Sequence, residues 1–100
     1  MNIKINQGKS LRQLAALGNF NLPAKVTDVI VTALETDHEQ AGPGSLTFVS
    51  GNNPASVYRC RASVILVIRP LAQMIPRDEG EVIPVSNPEK VFDKLLEELG

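Results

Sequence analysis

Ser63 to Ile68, reading SVILVI, is the stretch that most narrows what this chain can fold into. It is a continuous apolar run rich in β-branched residues, with no polar alternation. A strand of that kind buries both of its faces, which requires cover on both sides and is the habit of parallel sheets. The flanking segments have the matching pattern. Leu46–Val49 reads as a strand, and Asn53-Pro54 is an N-cap and first-turn pair for a helix reaching about Arg61. After the buried strand, Pro70 to about Ile75 reads as a short helix. Val82–Val85 is a further strand, and its Pro84 belongs at an edge or a strand end. Asn87-Pro88 repeats the cap device and opens a last helix. There Val91, Phe92, Leu95, Leu96 and Leu99 share one face, while Glu89, Lys90, Asp93, Lys94, Glu97 and Glu98 face water. Alternating strands and helices predict an α/β fold: a small single domain with a mixed, mostly parallel sheet flanked by helices.

The first half is less regular. Ser10 followed by Gln13 has capping-box spacing, so a helix is expected from Leu11, with Leu11, Leu14, Ala15 and Leu17 inward. Gly18 can supply its left-handed stop. Residues 19–25 are turn-like. Val26–Leu34 is β-rich, with Val26 and Ile30 expected inward and Val29 and Val31 as further candidates. Thr36–Gln40 is a polar connection leading to the turn Gly42-Pro43-Gly44.

Composition excludes several classes. One hundred residues allow one modest core. A formal charge of −1 lacks the basic stripe of a dedicated nucleic-acid binder. The densest cations, Arg59, Arg61 and Arg69, are interleaved with apolar residues. One cysteine, Cys60, precludes an internal disulfide framework and fits a reducing, cytoplasmic setting. No run approaches the ~20 apolar residues of a membrane span, and the first ten residues lack a signal peptide's apolar core.

Catalytic constellations are weak. His38 is the only histidine and lies among Glu35, Thr36, Asp37 and Glu39, the setting of a solvated loop residue. No second histidine offers a metal site, so no metal and no cofactor is expected. Arg59 and Arg61 flank Cys60 and favour its thiolate, but a lone cysteine on a short helix reads first as a small core residue. Asp78-Glu79 and Glu97-Glu98 read as a turn and a solvated helix face. Gly42-Pro43-Gly44 is a turn rather than a phosphate loop, because proline removes a donor and no Lys-Ser/Thr follows.

The densest functional signal runs from Ala41 to Pro54, AGPGSLTFVSGNNP. A strand end feeding a helix N-terminus gathers backbone N–H groups, the amides of Asn52 and Asn53 and the aromatic Phe48, expected to be exposed. In parallel sheets ligands bind beyond the carboxyl ends of strands, where Ser50–Asn53 should lie.

Four segments together resemble the N-terminal, non-repeat domain of UDP-3-O-acylglucosamine N-acyltransferase, the lipid A enzyme of Gram-negative bacteria. Leu11–Leu17 is similar to the family's opening "LAxxL" helix. Val29–Glu35 followed by Ala41–Phe48 resembles its strand and "A-x-P-G-x-L-[ST]-F" segment. Ala62–Val67 resembles the "A-[SG]-A-V-[IV]-V" strand. Val85–Pro88, with Phe92, Leu95 and Leu96 behind it, resembles "V-x-N-P" and the final helix. The resemblance covers nearly the whole chain and rests on the joint order of these pieces. It implies the small α/β fold also seen in Mur-ligase N-terminal domains.

In that family the domain holds the uridine end of a UDP-linked acylglucosamine, with the uracil between a phenylalanine and a tyrosine. Phe48 matches the phenylalanine and Asn53 the asparagine of the following "N-P", although Gly51-Asn52 lengthens the loop here. Ser56 stands where the family has its tyrosine. Tyr58, two positions on, would point about 160° away on a helix. The family's catalytic histidine lies in a downstream hexapeptide-repeat β-helix, and this sequence reaches Gly100 before any such repeat. The resemblance therefore implies nucleotide-sugar binding without acyl transfer, in a domain of a longer enzyme or in a stand-alone relative, and a monomer or weak association, since family trimers depend mainly on the repeats. A second expectation is a protein-interaction module that kept the fold and lost the ligand, with its partner surface around Val57 and Tyr58. A third is a Mur-ligase N-terminal domain, where Asp37-His38 stands in place of that group's Ser-Arg pair.

Overall fold

The computed structural model describes residues 1–24, 26, 28–74 and 81–99. In chain order its elements are β1 (Asn2–Ser10), α1 (Leu11–Gly18), β2 (Ile30–Glu35), β3 (Ser45–Phe48), α2 (Pro54–Arg59), β4 (Val64–Ile68), α3 (Arg69–Met74), β5 (Glu81–Val85) and α4 (Pro88–Leu99). The strands form one five-stranded sheet in sequential order. β1 runs antiparallel to β2, and every other pairing is parallel. The fold is thus a small α/β domain with a mixed, mostly parallel sheet between helices.

β4 meets the demand of its sequence: Val64, Ile65, Leu66 and Val67 are all fully buried. Residues in register across parallel strands share a face, so the sheet divides into two apolar layers. Phe48, Leu66 and Ile83 lie in one row with Leu34, Leu46 and Val64 beside it, and α1 and α4 cover this first face through Leu11, Leu14, Phe92 and Leu95. Ile65 and Val67 point to the second face, where Val57 of α2, Leu71 of α3 and Ala41 pack. Ala41 between β2 and β3, α2 between β3 and β4, and α3 after β4 therefore all lie over the second face. A strand–crossover–parallel strand unit is right-handed almost without exception, so a sheet growing in one direction keeps its crossovers on one side. After β5 the chain returns to the first face, into α4.

The caps form as their residues dictate. Ser10 Oγ accepts the Gln13 N–H at 3.2 Å, and Gln13 Oε1 accepts the Ser10 N–H at 2.8 Å. Asn87 Oδ1 accepts the Lys90 N–H at 3.1 Å and starts α4. Pro84 lies in β5, the edge strand, where its missing N–H leaves no ladder bond unmade.

Four expectations change. The left-handed stop of α1 is Asn19 (φ 55°), a residue type whose short polar side chain tolerates that conformation. Gly18 serves close packing instead: a Cβ there would lie 2.9 Å from the Phe20 ring and 3.3 Å from Leu95. β2 starts at Ile30, not Val26, and Ile30 is 57% exposed while Val31 and Leu34 are buried. α2 ends at Arg59 rather than Arg61, and the chain turns extended at Cys60. The N-terminal strand β1 has no counterpart in the sequence reading. Ile75, the expected end of α3, and Asp78-Glu79 lie outside the described residues. Among the described residues no helix is long and apolar enough to cross a membrane.

Glu35 ties β1 to the sheet. Its carboxylate is buried and accepts from the Met1 ammonium at 2.9 Å and from the Asp37 N–H at 3.0 Å. The Glu35 carbonyl accepts the buried Thr47 hydroxyl at 2.6 Å. Burial pushes the Glu35 carboxyl up, but the Asp37 N–H and the ammonium outweigh it and hold its pKa below the ordinary value. A depressed carboxylate pKa stabilises the fold above the unfolded-state pKa, and that contribution is lost as pH falls through the folded value. Glu35→Gln should cost about 1–2 kcal/mol at neutral pH. In urea melts the gap between wild type and variant should stay constant down to about pH 5 and then close on acidification. A gap unchanged at the acid end would show that the charge contributes nothing.

Candidate functional site

The Ala41–Pro54 run crosses the whole sheet, so its two ends do not form one site. Gly42-Pro43-Gly44 makes the turn at the amino end of β3. Gly44 takes φ 88°, its N–H donates to Ser63 Oγ at 2.8 Å, and its carbonyl accepts the Thr32 N–H at 2.8 Å. Ser45 closes the turn onto the Gly42 carbonyl through both its N–H and its hydroxyl. These bonds hold β3 in place and leave no cradle for a phosphate.

At the other end, β3 delivers Phe48 and the chain continues through buried Val49, whose N–H donates to the Leu66 carbonyl at 3.0 Å. Gly51 then takes φ 86°, a conformation L side chains resist, and lets the chain turn back toward α2. Ser50, Gly51, Asn52 and Asn53 are all exposed. Asn53 caps α2: its Oδ1 accepts the Ala55 N–H at 3.1 Å, which leaves the amide NH2 as the group it can offer a ligand.

Phe48 is half-buried rather than exposed. Its ring packs on Phe92 of α4, with centroids 4.9 Å apart and planes at 44°, a tilted geometry that aromatic pairs favour. Phe92 is almost wholly buried, so it fixes Phe48 from below and leaves the outer part of that ring at the surface. Phe48 thus belongs to the first face, whereas α2 covers the second. The exposed loop Ser50–Asn53 joins them over the sheet's carboxyl edge. Tyr58, 59% exposed on α2, makes no aromatic contact with Phe48. Val57 is completely buried and cannot form a partner surface beside it.

The described cavities lie away from Phe48, Asn52, Asn53 and Tyr58. One of about 240 Å³ opens beyond the carboxyl ends of β4 and β5. Arg69, the first residue of α3, lines it together with Ser86, Asn87 and Lys90 at the start of α4, and with Asn19 and Asn21 after α1. The sequence pattern marks Asn87 as a helix cap and as part of the V-x-N-P segment, and places Arg69 among cations interleaved with apolar residues. The available signal was position, since each directly follows or nearly follows the carboxyl end of a strand.

Cys60 is buried in the second-face layer, as expected of a small core residue. His38 is half-buried in the 36–40 turn beyond the carboxyl end of β2, whereas Cys60 precedes the amino end of β4. The two side chains best suited to nucleophile and base therefore stand at opposite ends of the sheet. Among the described residues no group of three His, Cys, Asp or Glu side chains comes together. No protein-family model matches the chain, and no curated protein is significantly similar to it.

The two loop asparagines separate by substitution. Asn53→Ala removes the cap of α2 and should cost about 1 kcal/mol of stability. Asn52→Ala, on an exposed side chain with no structural bond among the described residues, should stay within about 0.5 kcal/mol. Chemical denaturation of both variants checks this; equal losses would deny Asn53 its capping role.

Proposed function

We propose that this chain binds the uridine end of a UDP-linked acylglucosamine, as the N-terminal domain of the lipid A N-acyltransferases does. One observation carries the reading. Phe48 stands at the carboxyl end of a parallel strand with its ring partly exposed and buttressed by Phe92, and the exposed loop carrying Asn52 and Asn53 follows it at the same edge of the sheet. Carboxyl ends of parallel strands are where α/β sheets bind ligands. A ring already held by a buried neighbour needs little ordering to stack on a base.

The chemistry available there is recognition. Phe48 offers a π-face, and the Asn53 NH2 can donate to a uracil carbonyl while its Oδ1 stays on the helix cap. Tyr58 does not form the second aromatic wall, so a single stack remains. Base–aromatic stacking contributes about 1–3 kcal/mol per base, and losing one wall weakens affinity by one to two decades. Binding in the millimolar range, about −4 kcal/mol, is the expected scale. The separation of His38 from Cys60 gives no reason to assign a reaction to these residues.

Titration of the labelled chain with uridine should shift the amide resonances of Phe48, Gly51, Asn52 and Asn53 saturably. Phe48→Leu keeps the apolar contact with Phe92 but removes the π-face, and should weaken the response about tenfold. Unmoved resonances at millimolar uridine would overturn the proposal and leave the interaction-module reading in its place.

A further inference from the structure

In open α/β sheets the ligand crevice forms where connections leaving adjacent strands pass to opposite faces, so that nothing fills the gap between them. Among the parallel strands β2–β5 that happens once, and not at Phe48; β1 is antiparallel, so its connection through α1 leaves from the other edge. The connections after β3 and β4 both cover the second face, through Val57 of α2 and Leu71 of α3. The connection after β5 departs to the first face, where α4 packs through Phe92 and Leu95. The gap lies beyond the carboxyl ends of β4 and β5, and the cavity of about 240 Å³ occupies it.

Among the described residues, the charged side chains that line that cavity have one sign. Arg69 enters where β4 becomes α3, and Lys90 from the first turn of α4; among the described residues no carboxylate lines it. Both side chains are exposed, and neither forms an ion pair among the described residues. Of the acids on α4, Glu98 pairs with Lys94 at 3.5 Å, and Glu89, Asp93 and Glu97 do not line the cavity. Asn19, Asn21 and Ser86 complete the wall with neutral donors, and Asn87 keeps its Oδ1 on the helix cap and its NH2 available. A planar guanidinium fork and a compact ammonium surrounded by neutral donors match the tetrahedral oxygens of a phosphoryl group.

We propose that the crevice between α3 and α4 is a second binding site, in which Arg69 and Lys90 hold the phosphoryl group of a small phosphorylated ligand. It does not rest on the uridine reading: the crevice takes no residue from the Phe48 edge, and its charge would select phosphate whether or not a base stacks there.

Inorganic pyrophosphate is the probe, because it carries the phosphoryl chemistry without a base. Titrated into the labelled chain at constant ionic strength, it should produce saturable amide shifts at Asn19, Arg69, Asn87 and Lys90. The double variant Arg69→Gln, Lys90→Gln should bind at least tenfold more weakly. Both side chains are exposed, so its melting temperature and its response to uridine should match wild type. Shifts that fail to saturate and are reproduced by sodium chloride, or unchanged affinity in the double variant, would overturn the proposal. Uridine reports on Phe48 and pyrophosphate on this crevice, so either assignment can fail alone.

Discussion

β4 has no solvated side, and the remaining architecture follows from covering it. Four fully buried residues in succession require an apolar layer above and another below, and a hundred-residue chain has few elements with which to build both. It assigns α1 and α4 to one face, and α2, α3 and the connection through Ala41 to the other. At about 25 cal/mol per Å² of apolar area removed from water, two such layers are the dominant favourable contribution to folding. The polar groups that enter this interior are tied off. Thr47 donates to the Glu35 carbonyl, and the Glu35 carboxylate takes the Met1 ammonium and the Asp37 N–H. No buried side-chain nitrogen or oxygen among the described residues lacks a partner.

Local chemistry made the helix starts legible. Ser10 with Gln13, Asn53-Pro54 and Asn87-Pro88 each satisfy the same backbone donors wherever they occur, so they are readable without knowledge of tertiary contacts. β1 was hidden because Lys, Asn and Gln dominate it and only Ile3 and Ile5 pack inward, from one side of an edge strand. Its identity comes from pairing with β2, a nonlocal fact. Ile30 illustrates the opposite error. Its β-branched side chain suits a strand but not necessarily a core, and the register with Ser10 at the sheet's edge turns it to solvent. Gly18 and Asn19 exchange roles for a packing reason: the close approach of Phe20 and Leu95 claims the glycine, so the left-handed residue falls one position later.

The candidate site was legible as residues and illegible as geometry. Ala41–Pro54 contains the turn, the aromatic and the amides, and sequence proximity made them look like one place. β3 separates them by its full length, leaving the glycine turn at the amino edge and Phe48 with Asn53 at the carboxyl edge. Phe48 looked exposed because nothing nearby in sequence covers it. Phe92, forty-four residues further along the chain, does so across the sheet face. The Arg69–Lys90 crevice was hidden for a related reason. It needs to be known which face each connection takes, and single-sequence patterns report that a helix is amphipathic without reporting which side of a sheet it covers.

Winding direction therefore governs where this domain can bind anything. As long as successive connections stay on the second face, each new helix packs beside the last and closes the space at the strand ends. Phe48, between two such connections, depends on the long exposed loop Ser50–Asn53 for access and on Phe92 for support. The change of face after β5 opens a true gap, and the residues forced to border it are those that leave β4 and β5. In this chain they are a guanidinium, a hydroxyl and an amide, with an ammonium one helical turn on. The two carboxyl-edge locations consequently differ in kind, one a supported aromatic surface suited to a base and the other a cationic recess suited to phosphate. Both rest on the first turns of α4, Phe48 against Phe92 and the recess against Lys90 and Val91. Its Asn87 cap and its apolar seat on the sheet are what hold the two at a fixed separation.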